Sequence, residues 1–222
     1  MAECLKDRES SVLLSTSLAS AQAFSEGLFA PESALLVVID IQERLLPIMS
    51  SAKEVVAKSN MLLRGASALQ IPILVTEQYP KGLGRTDKSV LFEPVDTLLE
   101  SIQENTPDLT PRARLLEKVS FSIFGDEKIV HEIATLGVDT LLVCGIESHV
   151  CVLQSTLHAL KLGLNVWVAN DALSSRDEKN HHNALALMAK SGANVANTES
   201  LLFGAMRDSK HSSFKTISAL VK

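Results

Sequence analysis

Three residues with useful chemistry, Asp40, Lys118 and Cys151, stand at or just beyond the ends of predicted strands. In a parallel sheet these ends lie along one edge, so residues that are distant in sequence can converge there. A carboxylate can accept the proton of a thiol, and the resulting thiolate is a strong nucleophile. An ammonium group stabilises both anions. The set therefore predicts acyl transfer through a thioester-like covalent intermediate.

Each of the three residues also has an ordinary structural explanation. An aspartate after a strand often caps a helix, a lysine in a loop is usually solvated, and a free cysteine is usually a small buried apolar residue. Cys151 falls in the first turn of a predicted helix, where free N–H groups and the helix dipole favour a thiolate. The sequence thus predicts a depressed pKa for Cys151, and the same N–H groups could hold an oxyanion.

The segment around the cysteine has the pattern of a strand–turn–helix–strand unit. Residues 141–144 form a short apolar run that ends at Gly145, which predicts a buried strand. Apolar residues then recur at helical spacing from Val150 until Gly163, and residues 166–169 predict the next strand. Units of this kind build parallel sheets.

The rest of the chain continues this alternation. Further strands are predicted at residues 34–39, 71–76, about 115–118 and 194–196. Further helices are predicted at residues 44–69, 92–102, 127–136 and 180–190, with a weaker terminal helix within 201–222. Five to six strands alternating with helices predict a single α/β domain with a mainly parallel sheet.

Composition restricts the class of function. The chain has 222 residues and a net charge of −5, which provides no basic patch, so no nucleic-acid partner is expected. No apolar run is long enough to span a membrane, and no membrane partner is expected. Three cysteines make neither a disulfide framework nor a zinc pattern, which favours a reducing, cytoplasmic location.

The N-terminal residues are predicted to lie outside the main domain. Residues 1–30 are interpreted as an extension with an amphipathic helix at 15–24, followed by the domain at 31–222. The extension could cover the core or contact a partner chain. Organellar targeting is the alternative, although acidic residues in this segment argue against it.

Four motifs carry a resemblance to a known family. They are VVIDIQ at 37–42, EKVSFSIF at 117–124, GIESHVCV at 145–152 and DALSSR at 171–176. Together they resemble the isochorismatase-like cysteine hydrolase superfamily, over about residues 34–198. The resemblance implies a three-layer α/β/α sandwich around a mainly parallel sheet of five to six strands.

The same resemblance implies roles for particular residues. Cys151 would be the nucleophile, Asp40 the base and Lys118 the assisting cation. The backbone N–H groups of Glu147 and Cys151 would form the oxyanion hole. A cis peptide bond is expected between Ile146 and Glu147.

The loop after the second predicted strand bears on metal and substrate. Nicotinamidases of the superfamily hold a metal there with Asp and His residues, but here residues 77–84 are EQYPKGLG. No metal and no cofactor are therefore expected, and the loop resembles the isochorismatase domain-containing branch. Because Cys151 is retained, hydrolysis of isochorismate itself is disfavoured. The substrate-binding candidates are Gln78, Tyr79, Phe121 and Phe124, although both phenylalanines could equally be core residues.

Three hypotheses remain open from the sequence. The leading one is a metal-independent cysteine hydrolase acting on a small amide, ureide or related carbonyl compound, in a homo-oligomer of two or more copies. The alternative is a catalytically weak or vestigial hydrolase scaffold that acts as an oligomeric interaction protein. The third is a thiol redox role for Cys144 and Cys151, which the strand position of Cys144 disfavours. A carboxylate at Glu147 would also need a partner near an oxyanion hole, and Arg176 is the candidate.

Overall fold

One sheet of six parallel strands organises the protein. The computed structural model describes residues 28–90 and 113–222. The strand order is β3-β2-β1-β4-β5-β6, and all five pairings are parallel. The strands are β1 Ala34–Ile39, β2 Ile73–Gln78, β3 Ala113–Lys118, β4 Thr140–Ile146, β5 Asn165–Ser174 and β6 Asn194–Ala196. The parallel α/β sheet predicted from the alternating pattern is confirmed.

Helices cover both faces of this sheet. They are α1 Ala52–Ala68, α2 Glu127–Leu136, α3 Leu153–Lys161, α4 Glu178–Lys190, α5 Thr198–Met206 and α6 Phe214–Leu220, with a single turn at Pro80–Leu83. On one face Leu36 and Val38 of β1 join residues of α1, α5 and α6 in a core cluster. On the other face Leu35 and Val37 join residues of α2, α3 and α4. The three-layer arrangement is therefore confirmed. None of the helices in the described ranges is long and apolar enough to cross a membrane.

Strand β1 lies at the switch point of the sheet. All six of its residues are buried, which explains why its sequence is continuously apolar rather than alternating. The chain passes from β1 to β2 and β3 on one side, whereas β4, β5 and β6 follow on the other side. Open α/β sheets bind their ligands at the carboxyl ends of the strands where the order reverses in this way. Asp40 follows β1 directly.

A glycine brings β4 unusually close to β1 at this edge. Gly145 has φ +119°, and a Cβ atom placed there would lie 2.1 Å from the backbone oxygen of Ile39. Glycine is required because only a residue without a side chain allows both the positive φ and this approach. The carboxyl end of β4 is thereby held against that of β1, immediately before Asp40.

Several predicted boundaries differ from the structure. Helix α1 begins at Ala52 rather than near Arg44, because Pro47 lies in a separate 3-10 turn at Leu46–Ile48. The residues before α1 form a loop in which the N–H of Ser50 donates to the carbonyl of Ser175. The terminal helix predicted within 201–222 is two helices, α5 and α6. The helices predicted at 15–24 and 92–102 lie outside the described residues, and the division at residue 30 stays a prediction.

Candidate active site

A buried ion pair forms the centre of the site. Lys118, the last residue of β3, donates from Nζ to Oδ2 of Asp40 at 2.6 Å, and both side chains are fully buried. The other carboxylate oxygen of Asp40 accepts a hydrogen bond of 2.7 Å from Oγ1 of Thr76. Asp40 has φ +53°, a conformation that aspartate tolerates better than most residues. Both charges are thus compensated by hydrogen bonds, as a buried pair requires.

The ammonium group of Lys118 has further acceptors. Its Nζ donates to Oε1 of Gln78 at 2.7 Å and to the carbonyl oxygens of Ser120 and Phe121 at 3.3 and 3.4 Å. Gln78 and Lys118 are register partners at the ends of β2 and β3. Adjacent strand ends therefore fix the position of the ammonium group opposite Asp40.

The third member of the set reaches the same place from β4. Cys151 lies in a π-helical turn, Ser148–Val152, that joins β4 to α3, and its side chain is 6% exposed. Its thiol lies close enough to the Asp40 carboxylate and the Lys118 ammonium for both charged groups to act on it. The structure therefore brings together all three residues that the sequence singled out.

The protonation state of Cys151 differs from the sequence-based expectation. Burial, with the adjacent charge of Asp40, raises the pKa of the thiol to about 12, although Lys118 opposes this rise. The predicted depression of the pKa is wrong because desolvation beside a carboxylate outweighs any helix-terminus effect. Burial also raises the pKa of Asp40, against the opposing effect of Lys118. Burial thus disfavours the charged forms of both the thiol and the carboxyl group, and Lys118 opposes this effect on each of them.

The peptide bond between Ile146 and Glu147, just before the π-helical turn that carries Cys151, is cis. The side chain of Glu147 is 7% exposed, and its Oε2 accepts hydrogen bonds of 3.0 Å from both the backbone N–H and Nε of Arg176. Arg176 is therefore the partner that the sequence suggested. Of the two expected oxyanion donors, Glu147 immediately precedes this turn and Cys151 lies within it.

The four substrate-binding candidates occupy different environments. Both polar atoms of the Gln78 side chain bond protein groups, since Oε1 accepts from Lys118 and Nε2 donates to the carbonyl of Val119. Tyr79 and Phe121 are about half exposed at the ends of β2 and β3. Phe124 is partly buried against the core, with its ring 5.3 Å from that of His158. Tyr79 and Phe121 are thus the two candidates with substantial free surface.

Sequence reasoning missed Gln42, which holds the end of β2 in place beside the site. This fully buried side chain donates to the carbonyls of Gln78 and Gly84 at 3.1 and 2.6 Å and accepts from the N–H of Gln78 at 2.8 Å. It therefore fixes the end of β2 that positions Lys118. The signal was available, because Gln42 is an amide residue two positions beyond Asp40 and the last residue of the VVIDIQ motif.

The loop after β2 is fixed by a charged network. Glu77 is 1% exposed and accepts from Nη1 of Arg85 at 2.9 Å and from the N–H of Thr86 at 2.6 Å. Arg85 also pairs with Glu117 of β3 at 2.6 Å. Within residues 28–90 and 113–222, no group of three or more His, Cys, Asp or Glu residues is arranged to hold a metal ion.

Fold and site together define a doubly wound α/β protein with a buried carboxylate–ammonium–thiol cluster at its switch point. The isochorismatase domain matches residues 34–200, and the chain belongs to this family of isochorismatase-like hydrolases. Isochorismatase family protein 1B of Dictyostelium discoideum is 37% identical over 89% of this chain and 90% of its own length. Mouse isochorismatase domain-containing protein 2A is 35% identical over 92% and 90%.

Among solved structures, a Caenorhabditis elegans protein described as MAR1 ribonuclease is similar throughout the domain. It superposes with a TM-score of 0.73 at 34% identity, over 87% of this chain and 91% of the other. Similarity over this length supports the fold as a whole rather than an isolated motif.

Proposed function

We propose that this chain is a metal-independent cysteine hydrolase that acts on a small amide, ureide or related carbonyl compound through an acyl-cysteine intermediate. The observation that carries the proposal is the fully buried Asp40–Lys118 pair, with the thiol of Cys151 close enough for both charged groups to act on it. A base, a cation and a nucleophile held together in this way are the components of covalent acyl transfer.

The reaction proceeds in two half-reactions. Asp40 accepts the thiol proton as the sulfur of Cys151 attacks the carbonyl carbon, and the oxyanion that forms is held by the N–H groups of Glu147 and Cys151. Collapse of this intermediate breaks the C–N bond, and the leaving nitrogen takes the proton from Asp40. Water, activated by Asp40, then hydrolyses the thioester and regenerates the thiol. Lys118 keeps the site from becoming a net buried anion when the thiolate forms.

The surroundings of the thiol favour a small substrate. Because Cys151 is only 6% exposed, the carbonyl group must enter a confined space. Tyr79 and Phe121 offer apolar surface at the same edge of the sheet, and Phe124 is the third candidate wall. Gln78 acts in this proposal by positioning Lys118.

Assembly into a homo-oligomer is part of the same proposal. Large exposed side chains lie close in sequence to the ends of β2 and β3: Tyr79 is 53% exposed, Val119 77% and Phe121 52%. Exposed apolar surface of this kind is often covered by another protein surface. A dimer or larger assembly would cover it.

RNA is the second candidate substrate, because the C. elegans relative is described as a ribonuclease. The net charge of −5 and the confined thiol favour a small carbonyl compound over a polyanion. An assay with a single-stranded RNA oligonucleotide separates the two candidate functions. Cleavage of the RNA that persists in Cys151→Ala would indicate a ribonuclease activity that does not use the thiol.

The pH dependence of Cys151 alkylation tests the cluster directly. Because the pKa of the thiol is raised to about 12, we expect the rate with iodoacetamide to increase steadily from pH 6 to 10 (~10-fold per pH unit) without a plateau. In Asp40→Asn the loss of the carboxylate charge lowers the pKa, so alkylation at a given pH becomes faster. In Lys118→Ala the loss of the cation raises the pKa, so alkylation becomes slower. Peptide mapping assigns the modified cysteine.

Cys144 provides the internal reference for this experiment. It is fully buried in β4, and burial raises the pKa of its thiol to about 12 as well, but its charged neighbour is Asp171 rather than Asp40. Its rate should therefore be the same in both variants. The proposed cluster would be contradicted if the alkylation rate of Cys151 were unchanged in both variants, or if it changed in the same direction in both.

A further inference from the structure

Glu147, which precedes the π-helical turn Ser148–Val152, and the first two residues of that turn are tied to one segment of the chain. Each uses its side chain to bond a residue between 175 and 181, at the end of β5 and the start of α4. The pairs are Glu147 with Arg176 at 3.0 Å, Ser148 with His181 at 2.8 Å and His149 with Ser175 at 2.9 Å. The turn that carries Cys151 is therefore held from outside as well as by its own backbone.

The first of these pairs also compensates the negative charge of the Glu147 carboxylate. The carboxylate of Glu147 is nearly buried, and one of its oxygens accepts from two donors of Arg176. In the proposed acyl transfer, negative charge develops beside the N–H of this same glutamate. A carboxylate without its counter-ion would oppose that charge, because Coulomb interactions are strong where water is excluded.

We propose that Arg176 is a positioning residue for the oxyanion hole. It holds the side chain of Glu147 away from the reacting carbonyl and compensates its charge while the oxyanion forms. The side chain of Arg176 is 58% exposed, so it reaches the nearly buried carboxylate of Glu147 from the protein surface. This inference rests on the proposed cysteine hydrolysis and assigns to that site a residue outside the Asp40–Lys118–Cys151 set.

Two reagents separate this role from a general loss of structure. With p-nitrophenyl acetate, the sulfur of Cys151 forms a bond to the acetyl carbon, p-nitrophenolate leaves and Asp40 takes the thiol proton. This route passes through an oxyanion. With iodoacetamide, the sulfur displaces iodide in one step and no oxyanion forms. A positioning residue for the oxyanion hole should affect the first reaction and not the second.

The test compares the full-length parent with Arg176→Gln and with the double variant Glu147→Gln/Arg176→Gln. We expect the pre-steady-state release of p-nitrophenolate to slow by about 10-fold in Arg176→Gln, which is less than the loss of a whole oxyanion donor. Alkylation of Cys151 should keep its parent rate. The double variant, which removes the uncompensated carboxylate as well, should recover most of the acylation rate.

Arg114→Gln is the matched control, because it breaks an ion pair with Glu132 whose partners are 46% and 22% exposed. Its acylation rate should equal that of the parent. If the parent is acylated at Cys151 and Arg176→Gln shows the same burst rate, the proposed role of Arg176 is wrong, whereas the proposed hydrolase function stands. Equal slowing of acylation and alkylation, or no recovery in the double variant, overturns it as well. A parent that is never acylated at Cys151 overturns the proposed hydrolase function and this inference together.

Discussion

Cys151→Ala should eliminate hydrolysis of every amide or ureide that the parent protein turns over, with a fall in kcat/KM of about 10⁴-fold or more. The reason is that the acyl group has no atom to bind once the sulfur is gone, whereas Asp40 and Lys118 can at most assist a slow attack by water. The measurement is ammonia release across a panel of small amides and ureides, restricted to compounds that the parent hydrolyses.

The control for this substitution is Cys144→Ala. Cys144 packs into the core cluster on the α1 side of the sheet, whereas Cys151 belongs to the cluster on the other side. Cys144→Ala removes a thiol of the same type and leaves a small cavity, which costs about 1 kcal/mol of stability or somewhat more. Its activity per folded molecule should equal that of the parent. Cys151→Ala with a near-native thermal midpoint and undiminished turnover would refute the covalent mechanism.

Lys118→Met should be the most destabilising single substitution at the site, lowering the free energy of unfolding by about 3–5 kcal/mol. Methionine fills most of the volume of the lysine stem, but it leaves the fully buried Asp40 without its cation. The double variant Asp40→Asn/Lys118→Met removes both charges and should lose less than Lys118→Met alone. Urea unfolding at pH 7, followed by circular dichroism, measures both.

The effect of acid on this variant has a definite sign. Burial already raises the pKa of Asp40, and loss of Lys118 removes the strongest opposing influence. A carboxyl group whose pKa is higher in the folded state than in the unfolded state binds protons on folding. Its unfavourable contribution is therefore full above the folded-state pKa and shrinks as the pH falls toward the unfolded-state pKa. The deficit of Lys118→Met should therefore be smaller at pH 5 than at pH 7.

Arg114→Met provides the comparison for an exposed pair, where the loss should be below about 1 kcal/mol. A Lys118→Met deficit of that same small size would show that Asp40 is not a buried charge in solution. A deficit that grows toward pH 5 would reverse the assigned protonation behaviour.

The parts of the fold that follow from burial on both faces could be predicted from sequence. Residues 34–39 are continuously apolar because β1 is covered by helices on each side, and the predicted strand has the observed limits. Helix α2 was equally clear, since it ends at Gly137 in a left-handed conformation. The convergence of Asp40, Lys118 and Cys151 followed from their placement at parallel strand ends.

The features that depend on tertiary contacts could not be predicted in the same way. Strand β5 continues to Ser174, through Asn170 and Asp171, because pairing with β4 resumes after an irregularity between Val143 and Gly145. The pKa of Cys151 depends on burial and on the neighbouring Asp40 rather than on position within a helix. The hydrogen bonds between Gln42 and Gln78 likewise depend on tertiary structure, because they can form only when β2 lies beside β1.

The strand order also determines which part of the cluster is least protected against local opening. Asp40 follows β1, which has paired strands on both sides, whereas Lys118 ends β3, the outermost strand on its side of the sheet described here. Outer strands generally detach in partial unfolding events that leave the centre of a sheet intact. Fraying of β3 would separate the ammonium from the carboxylate while β1 and β4 stay paired. The proposed hydrolase activity should therefore be lost under mild denaturing conditions that leave the rest of the sheet intact.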